Sequence, residues 1–226
     1  MNENQTTPIQ PDGTRSDRTL IRRRRSKKQS ILYLTELALL VAITMVLHFT
    51  GAAIPAFGTK FSLVLIPIAL GAMVLGPTAG AILGFVYGVT VYVSFGVLHL
   101  DPFTGFLFDN HPMIAALICI IKTTAAGFVA GWVYRWLRKL NEWVAVFAAA
   151  ILVPTVNTGV FVAGCFCILG TINNYVATIP DADYTGVYFI LGICAGLNYP
   201  PELAANIVFA PALERIIRLV SKKLTR

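Results

Sequence analysis

The chain has 226 residues, of which 56% are hydrophobic and only 13% are charged. Soluble globular domains carry about a quarter charged residues, so this composition excludes an ordinary soluble domain and indicates an integral membrane protein. The net charge of +7 does not indicate a nucleic-acid-binding protein, because the basic residues flank apolar runs and no basic face is interleaved with aromatic residues.

Residues 1–30 are predicted to form a disordered, basic cytoplasmic tail. The first 20 are mostly polar and cannot bury enough apolar surface to order themselves. A basic run follows at residues 22–28 and would hold the chain at anionic lipid headgroups. The apolar stretch after it is too long for the hydrophobic region of a cleavable signal peptide.

Residues 31–223 are predicted to form an all-α membrane domain of six transmembrane helices, because several apolar runs reach the roughly 20 residues that a span needs. The predicted helices are residues 31–50, 61–75, 79–98, 112–136, 142–170 and 198–222. Residues 99–111 are predicted to be a loop. The apolar stretch 184–197 is either the outer part of a long, broken sixth helix or a short re-entrant or interfacial helix.

The distribution of basic residues predicts that both termini face the cytoplasm, where loops carry an excess of Lys and Arg. With six crossings, the N-terminal tail holds eight basic residues, the loop between the fourth and fifth helices holds three, and the C-terminal end holds five. Together these are 16 of the 18 basic residues in the chain. Seven crossings would place the C-terminal cluster outside, so six are preferred.

Small residues recur at helical spacing in two places. Gly76, Gly80, Gly84 and Gly88 form a stripe along the third helix, and Ala38 and Ala42 form a second small pair on the first. In lipid, such stripes let two helix backbones approach closely. The glycine stripe therefore predicts helix packing, either inside the bundle or against a partner.

Lys122 lies about ten residues into the fourth helix, where a charge is costly and faces an interior cavity or a partner. It either meets an anionic or carbonyl group of a solute, pairs with Glu202, or extends to the membrane surface. Further polar residues on the fifth and last helices either face a ligand or bond between helices. Together with Lys122, the candidate solute-binding residues are Asn157, Thr158, Asn198, Tyr199, Glu202 and Asn206.

No pattern of residues indicates catalysis. The chain has no glycine-rich nucleotide loop, no His-Glu-x-x-His pair and no Gly-x-Ser-x-Gly motif. Its four cysteines lie in or beside apolar segments, where small packing residues are expected. We therefore expect no enzyme activity, no catalytic residue, no cofactor and no bound metal.

Four segments, taken together and in this order, resemble the substrate-binding S components of energy-coupling factor (ECF) vitamin transporters. Residues 38–42 look like the family's Ala-xxx-Ala motif in the first helix, and residues 75–80 look like the turn between its second and third helices. The other two are residues 153–161 in the fifth helix and residues 202–206 with 210–215 in the last. The resemblance covers about residues 32–223.

The resemblance implies a subunit of the bacterial plasma membrane that binds a vitamin or related precursor from outside. Its partners would be a transmembrane coupling protein and two ATPase subunits. The Ala38/Ala42 face would be the docking surface, and Gly80 and Gly84 would add to it. Pantothenate is the first expected solute, because Lys122 suits a carboxylate, and riboflavin or folate comes next. The long basic tail departs from the family's pattern.

Two other classes stay open at this point. A small membrane scaffold or assembly protein needs no pocket, and this class would leave the internal charges of Lys122 and Glu202 unexplained. An intramembrane enzyme needs a reactive group of residues that this sequence does not display. A stand-alone secondary transporter is disfavoured, because such proteins usually contain internal repeats.

Overall fold

Long apolar runs become long helices in this chain, because a helix satisfies the backbone N–H and C=O groups within its own segment. The computed structural model describes the backbone of residues 13–51, 55–56, 59–60 and 63–224, and the side chains of residues 30–50 and 63–219. The chain divides into two units, Met1–Glu36 and Leu37–Arg226.

The described residues form nine α-helices, two π-helical segments and one two-stranded hairpin. The α-helices are α1 (Gly13–Gly51), α2 (Leu65–Val74), α3 (Pro77–Val91), α4 (Pro102–Asn110), α5 (Pro112–Leu137), α6 (Glu142–Cys167), α7 (Leu169–Val176), α8 (Gly186–Tyr188) and α9 (Gly196–Leu224). The π-helical segments are π1 (Tyr92–Val97) and π2 (Phe189–Ala195). The antiparallel strands are β1 (Pro55–Ala56) and β2 (Thr59–Lys60).

Four helical stretches are long and apolar enough to cross a membrane: Ser30–Thr50, Pro77–Val97, Pro112–Leu137 and Glu142–Cys167. The chain is therefore a helical membrane protein. The short helix α2 has 10 residues, about 15 Å at the rise of an α-helix. Helix α9 carries Glu202, Glu214 and three prolines. Six crossings with both termini inside thus stay a prediction.

Helices α3 and α5 meet backbone to backbone along the glycine stripe. Gly80, Gly84 and Gly88 are buried on the face of α3 that contacts α5. A Cβ on Gly80 would lie 2.5 Å from the carbonyl oxygen of Gly127. The Thr123 hydroxyl donates a 2.6 Å hydrogen bond to the Gly84 carbonyl oxygen. The small residues therefore serve packing within the bundle.

Replacing Gly84 by alanine should lower the thermal unfolding midpoint in detergent by several degrees. The new Cβ would collide with the Thr123 carbonyl, and overpacking of this kind costs about 1–3 kcal/mol. The matched control is Gly159→Ala, because Gly159 is exposed and a Cβ there meets nothing within 4 Å. An unchanged midpoint for Gly84→Ala would contradict the tight contact.

Helix α2 is central to the bundle, since it contacts α3, α5, α6 and α9. Most of its residues are buried, including Leu65, Ile68 and Ala72. Helices α6 and α9 are antiparallel neighbours. They are joined by a 3.1 Å hydrogen bond between the Thr155 and Tyr199 hydroxyls and by Arg218 Nε, 3.9 Å from Glu142 Oε2.

The structure differs from the sequence prediction in two segments, the N-terminal tail and the loop at residues 99–111. Helix α1 begins at Gly13, so part of the expected disordered tail is helical, consistent with the helix-forming preference of Arg and Lys; residues 1–12 lie outside the described residues. The expected loop at residues 99–111 contains α4. The Asp101 side chain accepts a 2.8 Å hydrogen bond from the Thr104 backbone N–H, and Pro102 occupies the first turn, where proline is favoured.

From Gly186 onwards, the apolar stretch 184–197 is helical and continues directly into α9. Helix α8, π2 and α9 follow one another without interruption. The Asn198 side chain donates a 2.8 Å hydrogen bond to the Cys194 carbonyl oxygen, one turn earlier in this continuous helical stretch. The predicted fifth helix also ends earlier than residue 170, at Cys167, and α7 follows it.

Candidate functional site

Lys122 lies where four helical segments converge. Its ammonium nitrogen is 4.9 Å from the centroid of the Phe161 ring on α6, a cation–π contact. Among the side chains that the structure describes, no carboxylate forms an ion pair with it. The groups within its electrostatic reach come from α5, α6, π2 and α9 and are Cys119, Cys165, Cys194 and Glu202.

Glu202 and Asn206 lie one turn apart on the buried face of α9. Glu202 is 8% exposed and Asn206 is 1% exposed. Asn206 Nδ2 donates a 2.9 Å hydrogen bond to the Glu202 carbonyl oxygen, which leaves the Asn206 Oδ1 buried without a partner in the described structure. This face therefore presents an acceptor that protein groups do not satisfy.

Asn157 presents a second acceptor of the same kind. It lies one turn from Phe161 on α6 and therefore shares a face with it. Its Oδ1 is buried, and no described group donates to it. We refer to Lys122, Asn157, Glu202 and Asn206 as the interior polar set.

The structure gives the other three predicted residues different surroundings. Asn198 is engaged within its own helix through the Cys194 carbonyl. Tyr199 bonds to Thr155 and so ties α9 to α6. Thr158 is half-buried on α6. The structure thus leaves Asn198 and Tyr199 with structural partners, and the interior polar set carries the stronger case for solute binding.

An aromatic cluster lies beyond Phe161, towards the C-terminal end of α6. Phe103 of α4 is 6.4 Å from Phe161, and it contacts Tyr175 of α7 at 5.2 Å and Phe189 of π2 at 5.1 Å between ring centroids. Phe106 completes the cluster, 5.0 Å from Tyr175. These edge-on geometries are favourable. Burial, and then the charge of Asp101, raise the pKa of the Tyr175 phenol.

This cluster is not apparent from the sequence, because its rings come from segments far apart in the chain. Two signals were present. The Asp-Pro start of α4 predicts a helix, and that helix carries two phenylalanines three residues apart, which therefore share a face. The contribution of π2 had no local signal.

The predicted docking residues separate into two groups. Ala38 and Ala42 are exposed on α1, whereas Leu37, Leu40, Thr44 and His48 form its buried side. Gly80 and Gly84 are buried against α5. Gly80 and Gly84 therefore cannot add to a docking surface, because α5 covers them and no partner backbone can reach them.

Lys122 has three cysteines near it, but they do not make a metal centre. Within the described part of the chain, no group of three or more His, Cys, Asp or Glu side chains could hold a metal ion. The groups of this set that could recognise a ligand are one cation, one carboxyl group and two amide oxygens.

Comparison with known protein families gives a match over most of the chain. A family model described as "ECF transporter, substrate-specific component" matches residues 32–213. No curated protein matches the chain.

Proposed function

This chain belongs to the substrate-specific components of ECF transporters, and we propose that it captures a vitamin or related precursor for ATP-driven uptake across a bacterial plasma membrane. Membership makes it a substrate-binding membrane subunit of an ECF importer. Pantothenate is the first proposed solute, and riboflavin and folate follow.

The observation that carries this proposal is the unpaired ammonium of Lys122 inside the helical bundle. A charge in a membrane protein interior is costly and is retained where it serves a partner or a pathway. Phe161 stabilises the cation, yet no described carboxylate neutralises it within ion-pair distance. A solute carboxylate is therefore the proposed partner, which favours pantothenate over riboflavin.

We further propose six crossings with both termini in the cytoplasm. Charge distribution supports this topology, with α2 as a short second crossing and the continuous α8–π2–α9 helix as the sixth. In this topology the aromatic cluster lies on the outer side, where a solute enters. The coupling protein would dock on α1 at Ala38 and Ala42, whose exposed small side chains permit close approach of a partner helix.

The test is mass spectrometry of solutes extracted from the protein after purification in mild detergent from cells grown in rich medium. A near-stoichiometric vitamin supports a binding subunit and names the solute. A folded protein that carries no solute, and that binds none of a vitamin panel in titration, would contradict solute capture and favour a scaffold or an enzyme.

A further inference from the structure

The interior polar set holds more hydrogen-bonding capacity than the described structure satisfies. The buried Oδ1 atoms of Asn157 and Asn206 are both acceptors without a donor. The Glu202 carboxyl group is 8% exposed, and Lys122 lies within its electrostatic reach. Because a buried acceptor without a donor is destabilising, the two amide oxygens indicate a polar occupant.

The position of each group along the helices fixes the order of the contacts. Lys122 contacts Phe161, and Asn157 lies four residues, about 6 Å, nearer the N-terminal end of α6. Because Tyr199 meets Thr155 and α9 runs antiparallel to α6, Asn206 lies further in the same direction. The cation therefore lies on the side of the aromatic cluster, and the free acceptors lie on the other side.

We infer that the solute is bifunctional, with a carboxylate that contacts Lys122 and hydroxyl or N–H donors that contact the amide oxygens of Asn157 and Asn206. The inference rests on the proposed function and specifies the chemistry of its substrate. A polyhydroxylated acyl amino acid has both ends, whereas a solute that lacks a carboxylate leaves Lys122 without an anion. The carboxylate points towards the aromatic cluster and the donors point towards the N-terminal end of α6.

Isothermal titration with three probes tests the two ends separately. Pantothenate carries the carboxylate and two hydroxyls, pantothenol replaces the carboxylate by an alcohol, and N-(3,3-dimethylbutanoyl)-β-alanine keeps the carboxylate and the methyl groups but lacks the hydroxyls. Wild-type protein should prefer pantothenate over each analogue by about 30-fold, which corresponds to roughly 2 kcal/mol at 1.4 kcal/mol per factor of ten.

The variants should remove one preference at a time. Lys122→Met is expected to abolish the preference over pantothenol and to keep the preference over N-(3,3-dimethylbutanoyl)-β-alanine. Asn206→Leu is expected to keep the first preference and to reduce the second. Asn157→Leu provides a second variant on α6 if Asn206→Leu does not fold. The matched controls, Lys139→Met and Asn174→Leu, alter exposed side chains and should change neither ratio.

Different results overturn different statements. If wild-type protein binds pantothenate but neither ratio moves in the variants, the bifunctional contacts are wrong while the proposed function stands. If it binds riboflavin and not pantothenate, the carboxylate assignment is wrong, because riboflavin has no carboxylate. If it binds none of pantothenate, riboflavin and folate, the proposed function itself is wrong.

Discussion

Replacing Lys122 by methionine should weaken binding of the solute that co-purifies with the protein by about 30-fold, and the protein should still fold. Methionine nearly matches the length and volume of the lysine stem, so the change removes the ammonium and little packing. A charge-assisted hydrogen bond contributes roughly 1.5–3 kcal/mol, and 1.4 kcal/mol corresponds to a factor of ten. Titration calorimetry in detergent measures the affinity directly.

Thermal unfolding of the solute-free protein separates this role from a structural one. If Lys122 serves mainly as a counter-charge for Glu202, its removal leaves an uncompensated buried carboxylate and lowers the midpoint. If it serves the solute, removal of an unpaired cation should leave the midpoint unchanged or raise it. Lys139→Met, at an exposed position, is the control. Wild-type affinity in Lys122→Met with a lowered midpoint would assign Lys122 to the structure alone.

The double variant Ala38→Trp/Ala42→Trp should lose assembly with the coupling protein and the ATPases while still binding the solute. Both alanines are exposed on α1, and two indoles there would hold a partner backbone several ångströms away. We expect at least about a 100-fold loss of assembly, equivalent to roughly 2.7 kcal/mol. Co-purification with a tagged coupling protein measures it.

The control for this variant is Ala163→Trp, an exposed alanine on α6 that receives the same increase in volume. It should assemble normally. Solute titration on the uncomplexed double variant shows that the bundle is intact. Normal assembly of the double variant would place the docking surface elsewhere.

The helical membrane architecture followed from sequence because hydrophobic length and charge placement are local properties. Long apolar runs predicted α5 and α6 to within a few residues. The helix α4 was missed, although Asp101 and Pro102 mark its start. The π-helical geometry of π2 had no local signal in the sequence.

The candidate site was predictable only in part, for the same physical reason. A lysine within an apolar run is conspicuous, so Lys122 could be named from sequence. Its contact with Phe161 and the unsatisfied oxygens of Asn157 and Asn206 depend on how α5, α6 and α9 pack. The role of Gly80 was likewise ambiguous, because a small-residue stripe permits close approach but does not name the helix that approaches.

The backbone contact between α3 and α5 has a mechanical consequence. Side chains that interdigitate can slide by changing rotamers, but backbones that meet directly, Gly80 against Gly127 and Gly84 against Thr123, have no side chain to rearrange. The pair should therefore move as one rigid body, anchored further by Thr123. A conformational change that opens a path for the solute would then occur at other helix interfaces. The interface between α6 and α9 is the first candidate, because its hydroxyl and ion-pair contacts can break and re-form.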